Sequence, residues 1–350
     1  MKVAYLFSSK RGESFKKVAT GEEHGVNFWG MFQLPHYGVE ASYLEPEQYY
    51  PHTVSEWIRR TFGVYWQHLS IVFAFFKYDY IFTSTGFGTQ FVWTLLHFKK
   101  PQWVMHDFSI MGLIGEEKTL RQKLFAYITS RAAGIVTLGI EEKEKLEKRF
   151  PHLMGKIEFI PFGVDLNFFK PMDVEQDGKV FAVGFDPDRD WKTFFEAVRN
   201  IKGPVVVATR PNRVSGLDIP SNVEIKQFTP RELAIEYAKS AVIVVPLDTS
   251  KAINDAMGCS TLFEAMASGK PLIATKTHTT ASYVAEGENG LLVPEGDPQA
   301  LKAAIEHLQG DKELRERLGQ NARAYAEAHL DVEKVGEKLA NFFKRLDARS

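Results

Sequence analysis

The chain has 350 residues, 44% of them hydrophobic and 25% charged, with 43 basic against 44 acidic side chains and a formal net charge of −1. That length exceeds one ordinary core and implies two domains of similar size. The near-neutral balance excludes a strongly basic nucleic-acid binder, and the single cysteine, Cys259, excludes a disulfide framework and fits a reducing compartment.

In chain order, MKVAYLF is too short for a signal-peptide core and reads as a first strand. No targeting signal follows, so a cytoplasmic location is expected. SYLEP, YDYIFTST, PQWVMHD, GIVTLG and IEFIPFG supply five more strands, with a helix over residues 138–150 after the fifth. The most lipid-like stretch, residues 64–82, is interrupted by His68 and Lys77 and falls short of a membrane span. It reads first as a buried helix running into a strand, and second as a membrane-facing surface. The aromatic richness of this half fits core packing, or a surface that stacks sugars or faces lipid. Arg59, Arg60, Lys99 and Lys100 favour an anionic membrane in peripheral contact, but are few.

Residues 161–171, PFGVDLNFFKP, carry two prolines and a glycine and mark the joint. Beyond it KVFAVGF, PVVVATR, NVEIKQF, AVIVVPL, PLIATK and GLLVPE are six further strands, separated in places by WKTFFEAVRNI, PRELAIEYAKS and DPQALKAAIEHLQG as helices. The chain is helical and charge-rich after Asp311. Strand–helix alternation predicts two doubly wound, Rossmann-like α/β domains: residues 1–163, residues 164–330, and a terminal helix over 331–350 packing back on the first. Ligands of such sheets bind at the carboxyl ends of the strands, and two facing domains form a cleft suited to group transfer.

The loops after the first strands of the two halves, SSKRGES and DPDRDW, lack GxGxxG, which argues against a dinucleotide enzyme. SGKPL fails as a P-loop because Pro271 replaces the required hydroxyl. Residues 186–190, DPDRD, lack the glycine and distal acid of a Ca²⁺ loop. The segment MGCSTLFEAMASG has a different character. Gly258 allows a close backbone approach, and the amides of Cys259, Ser260 and Thr261 open a helix, which is an anion site. Glu264, one turn in, is placed to accept hydrogen bonds from a ribose diol. Thr261-x-x-Glu264 is equally a capping box that merely closes the helix start.

FIPFGVDLNFFKP, NVEIKQFTPRELAIEYAKSAVIVVPL, LFEAMASGKPLIAT, NGLLVPEGDPQAL and LRERLGQNAR together resemble family 4 glycosyltransferases with the GT-B fold. The resemblance is strong over residues 159–323 and diffuse before them. It implies retaining transfer of a hexosyl group from a nucleotide-diphosphate sugar, a UDP- or GDP-sugar, to a hydroxyl on a saccharide, lipid or small molecule, without a metal or other cofactor. It places the donor on the second domain, along Asp255, Met257, Gly258, Cys259, Ser260, Thr261, Leu262 and Glu264, with Glu264 matching the second glutamate of the E-x7-E signature. The first glutamate falls on Ala256, with Asp255 adjacent. A diphosphate-binding Arg falls on Phe185 and the companion Lys on Arg189, with Lys192 sharing the role; for Arg189 the alternative is a surface salt bridge to Asp186 or Asp188. His106, beside Asp107 at a strand end, matches a histidine that contacts the donor sugar. The glycine-bearing loops at residues 8–12, 21–25 and 83–89 are either acceptor borders or ordinary turns. The departures at Ala256 and Phe185 leave two rivals: a hydrolase or epimerase of the same fold, and a non-catalytic nucleotide-sugar-binding subunit.

Overall fold

All twelve apolar runs form strands in the computed structural model, which describes residues 1–84, 86–250 and 257–349. The first sheet comprises β1 (Lys2–Leu6), β2 (Glu40–Leu44), β3 (Tyr80–Thr83), β4 (Gln102–His106), β5 (Gly134–Thr137) and β6 (Ile157–Phe159), ordered β2-β1-β3-β4-β5-β6. The second comprises β7 (Val180–Val183), β8 (Val205–Ala208), β9 (Val223–Lys226), β10 (Val242–Val245), β11 (Leu272–Thr275) and β12 (Leu291–Val293), ordered β12-β11-β10-β7-β8-β9. Every pairing is parallel. Helices cover both faces of such sheets, so central strands are apolar at every position; β8 (VVVA) and β10 (VIVV) are buried throughout.

The chain divides into two compact units. The first is Met1–Gly21, Asn27–Phe162 and Glu333–Ser350; the second is Glu22–Val26 and Gly163–Val332. The first unit carries α1 (Gly12–Ala19), α2 (His52–Trp66, broken at Gly63), a 3-10 segment over Gln67–Lys77, α3 (Phe87–Leu95), α4 (Ile110–Ile114), α5 (Leu120–Ser130) and α6 (Ile140–Arg149). The expectation of a buried helix over residues 64–82 needs correction. Ile71, Ala74 and Phe75 are buried, but Phe73 and Phe76 are 55% and 61% exposed.

The second unit carries α7 (Trp191–Val198), α8 (Pro230–Lys239), α9 (Cys259–Ala267), α10 (Pro298–Gly310) and α11 (Lys312–Tyr325). Phe194 and Phe195 of α7, Ile305 and Leu308 of α10 and Leu318 of α11 form its core with β7, β8 and β10. Val164 donates to the Leu330 carbonyl at 2.7 Å and accepts from the Val332 amide at 3.1 Å, so the chain enters and leaves this unit at paired segments. The last helix, α12 (Val332–Asp347), is amphipathic. Its Leu339, Phe342, Phe343 and Leu346 complete the core over Val3, Tyr5, Phe82 and Val136 of the first sheet. Among the described residues no helix is long and apolar enough to cross a membrane.

Candidate active site

In the second sheet the chain starts at β7, builds outward on one side through β8, and returns to the other side at β10. The strand order therefore reverses between β7 and β10, and the loops after these neighbouring parallel strands emerge side by side. Such a switch point is where open α/β sheets take their ligands. The two loops are tied together: the Asp190 amide donates to the Pro246 carbonyl (3.3 Å) and the Asp248 amide to the Asp188 carbonyl (3.0 Å).

From the β10 side comes α9. Gly258 is its N-cap, at φ 74°, a left-handed conformation that favours glycine. A Cβ there would lie 2.9 Å from side-chain carbons of Leu247 and Val245. The first intrahelical bond runs from the Leu262 amide to the Gly258 carbonyl (2.9 Å), so the amides of Cys259, Ser260 and Thr261 form the opening turn. With Gly258 as the cap, Thr261 sits at the third helical position, and no side chain caps the helix. The capping-box alternative is thereby excluded. Ser260 is exposed, whereas Met257, Cys259, Thr261, Leu262 and Glu264 are buried. The other end of α9 is fastened by Arg323, whose guanidinium donates to the Ala267 carbonyl at 2.6 Å and the Phe169 carbonyl at 3.2 Å.

From the β7 side comes Arg189. Its side chain lies over the backbone of Gly184, where a Cβ would stand 2.3 Å from the guanidinium Nε. Nε pairs with Asp186 at 2.9 Å and Nη2 donates to Thr261 Oγ1 at 3.2 Å. Nη1 is buried without a hydrogen-bond partner among the described residues, 3.3 Å from where a Gly258 Cβ would stand. The ion pair with Asp186 thus forms, but around a guanidinium that is only 2% exposed. A buried cationic donor left unmatched is costly and calls for an acceptor.

Glu264 is 7% exposed, and its carboxylate accepts from the Tyr237 hydroxyl of α8 at 2.8 Å, the one hydrogen bond to that carboxylate among the described residues. Burial raises its pKa to about 7, against the opposing pull of the Tyr237 hydrogen bond and Arg189. Tyr237 is pushed up in turn, by burial and then by the facing carboxylate. Tyr237 escapes a reading of the sequence because AIEYA looks like an ordinary buried helix face. Arg213 is missed for a different reason. It follows β8, and its Nε donates to the carbonyl of Phe185 at 2.9 Å, which puts a guanidinium beside the position that the sequence resemblance aligns with a diphosphate-binding arginine.

Arg189, Gly258, Thr261 and Glu264 therefore converge. Lys192 does not join them. Asp190 caps α7 through the Thr193 amide (2.9 Å), and Lys192 projects with Glu196, Arg199 and Lys302 into a separate open hollow of about 650 Å³. Asp255 and Ala256 lie outside the described residues. Of the glycine-bearing loops, His24 packs on Phe168 and Phe169 in the second unit, with ring centroids 5.3 and 5.1 Å away. The Arg11 amide donates to Glu45 at 2.7 Å.

In the first unit His106 ends β4, boxed by Trp29, Phe82 and Phe108 with ring centroids at 4.7, 5.1 and 4.7 Å. Burial lowers its pKa to about 3, so the imidazole is neutral at physiological pH. Asp107 turns away from this chemistry: its Oδ1 accepts the amides of Ser109 (2.8 Å) and Ile110 (2.7 Å) at the start of α4.

The model of the family Glycosyl transferases group 1 matches residues 207–325, from β8 through α11. The D-inositol 3-phosphate glycosyltransferase of Corynebacterium urealyticum is 24% identical over 312 residues, covering 77% of this chain and 72% of that protein. Against proteins of the same name from Jonesia denitrificans and Streptomyces avermitilis, the chain spans about half their lengths, 55% and 49%. Among solved structures, sucrose-phosphate synthase from Thermosynechococcus elongatus superposes over all of both chains with a TM-score of 0.75 at 20% identity. Anabaena HepE, solved in complex with UDP and glucose, gives 0.69 at 14% identity over 98% of this chain and 99% of its own. These likenesses establish a GT-B fold for the chain, and residues 207–325 are similar to the Glycosyl transferases group 1 family.

Proposed function

We propose that the chain moves a hexosyl group from a nucleotide-diphosphate sugar to an acceptor hydroxyl with retention of configuration, and without a metal or other cofactor. The observation that carries this reading is the buried, unmatched Nη1 of Arg189 beside the opening turn of α9. Together they offer a fixed positive charge, backbone donors and a helix dipole to one diphosphate. Glu264 takes the ribose hydroxyls. In the first unit, neutral His106 is the residue assigned to the transferred sugar.

As the bond between the anomeric carbon and the diphosphate oxygen breaks, negative charge grows on the leaving group, where Arg189 and α9 stabilise it. The acceptor oxygen bonds the anomeric carbon on the same face, and its proton passes to a donor phosphate oxygen. No protein base is needed for that step. The HepE structures hold UDP, UDP with glucose, and UDP-glucose, which makes uridine donors the first to test. The name of the curated relatives points to acceptors that are phosphorylated polyols.

Calorimetric titration of UDP and GDP into the parent chain and Arg189→Gln tests the assignment. Glutamine preserves a donor toward Thr261 but removes the charge, and loss of a charged hydrogen bond predicts diphosphate binding weaker by roughly 10- to 100-fold. Equal affinity in the two proteins would show that the diphosphate lies elsewhere. NMR of the product's anomeric proton, with UDP-glucose as donor, decides retention.

A further inference from the structure

We propose that the outer face formed by residues 49–100 of the first unit docks on an anionic lipid bilayer. Eleven of the seventeen exposed large hydrophobic side chains among the described residues fall in this stretch, so the apolar surface is local rather than scattered. They come from α2, the 3-10 segment and the end of α3, and several touch one another. In a 3-10 helix residues three apart eclipse, which stacks Phe73 and Phe76 on one edge of the segment. Tyr49 meets Phe73 with ring centroids 5.2 Å apart, and Phe98 meets Phe76 at 5.6 Å. The two pairs form an aromatic row along that edge, and on α2 a further exposed pair stands, Trp57 (59% exposed) against Phe62 with ring centroids 6.1 Å apart. Phe73, Phe76 and the adjoining Phe98 present on the order of 300 Å² to solvent, the size of the largest apolar patch on an ordinary soluble protein.

The charge of the same stretch identifies the occupant. Residues 49–100 carry five Lys and Arg against two Asp and Glu, in a chain whose net charge is −1. Arg59 is paired with Glu47 at 2.7 Å, and Arg60 with Glu56 and Lys100 with Asp79, both at 3.0 Å. Lys77 directly follows Phe76 and Lys99 directly follows Phe98; both are exposed and make no ion pair among the described residues. Aromatic rings at headgroup depth, with lysines reaching phosphates, are what a monotopic membrane face requires. A second copy of the chain fits less well, because a two-fold interface across this row brings like-charged lysines together.

Flotation of the full chain with phosphatidylcholine vesicles, with and without phosphatidylglycerol, tests the proposal. Binding is expected to rise with the anionic lipid. Phe73→Ser with Phe76→Ser should weaken it about 100-fold, and Lys77→Gln with Lys99→Gln about 30-fold on anionic vesicles. The UDP affinity of both variants and the melting temperature of the glutamine variant should match the parent, while the serine variant, which loses ring contacts to Tyr49, Trp93 and Phe98, should melt a few degrees lower and remain folded. Failure of the parent to float with anionic vesicles overturns the proposal, as does flotation unaffected by either variant. A dimer in light scattering that the serine variant dissolves, without lipid binding, assigns the face to a second copy instead.

Discussion

Glu264→Gln separates a ligand-binding carboxylate from a structural one, because the two roles predict opposite effects on stability. In the folded protein Glu264 has its pKa raised from 4.5 to about 7 by burial. Its contribution to stability is fully present below about pH 4.5 and is lost as pH rises through 7, since the folded state resists ionisation that the unfolded chain undergoes freely. A shift of that size corresponds to roughly 3 kcal/mol at pH 8. Glutamine keeps an oxygen to accept from the Tyr237 hydroxyl and removes the buried charge. Glu264→Gln should therefore be more stable than the parent at pH 8, by up to about 3 kcal/mol, and the gap should close as pH falls toward 4.5.

Donor binding should move the other way. A carboxylate gripping a diol makes charge-assisted hydrogen bonds, and losing them costs about 1.5–3 kcal/mol, or roughly 10- to 100-fold in affinity. Because the free protein's carboxylate titrates near 7, the parent's donor affinity should also fall as pH drops below 7, by no more than that same 10- to 100-fold, and this part of the pH dependence is lost in Glu264→Gln. Chemical denaturation at several pH values, with calorimetric titration of UDP, reads both quantities. A glutamine variant that is less stable at pH 8 yet binds UDP as the parent does would refute the argument and leave Glu264 as a partner of Tyr237 only.

Two further substitutions probe the groups around it. Gly258→Ala would force a Cβ to within 2.9 Å of Leu247 and Val245 and 3.3 Å of Arg189 Nη1, at a φ of 74°; strain and overpacking predict a loss of about 2–4 kcal/mol in a denaturation curve and weaker UDP binding, and a variant as stable as the parent would contradict the geometry. His106, neutral above about pH 3 through burial, should add no inflection to the pH profile of kcat/KM between pH 5 and 9, so His106→Asn should lower activity while preserving the profile's shape; loss of the parent's acidic limb in that variant would show that the imidazole titrates.

The strands were legible in the sequence because a parallel sheet buried on both faces must be built from runs such as VVVA and VIVV, which no surface helix would tolerate. The terminal segment was legible only as a charge-rich helix, and the structure supplies its buried stripe, Leu339, Phe342, Phe343 and Leu346. The sides of helices were harder to read. FAFFK is apolar by any count, and only its 3-10 winding turns Phe75 inward and leaves Phe73 and Phe76 in solvent. Lys192 sits two positions after Asp190, and once Asp190 caps α7 that register carries the lysine away from Arg189.

The site itself turned on long-range pairing that no short motif encodes. Thr261-x-x-Glu264 permits two helix starts, and the choice falls to Gly258, whose left-handed conformation sets the cap three residues ahead of Thr261. DPDRD presents three carboxylates to one arginine. The fold gives Asp186 to the guanidinium and Asp190 to the helix start, and ties the backbone of Asp188 to the loop after β10. That last tie exists only because β10 returns beside β7, and the same return brings Thr261 to Arg189 across 72 residues of sequence. The unmatched face of Arg189 is thus a product of strand order. A change that weakened the β7–β10 pairing would separate Arg189 from α9 while leaving each motif intact in the sequence.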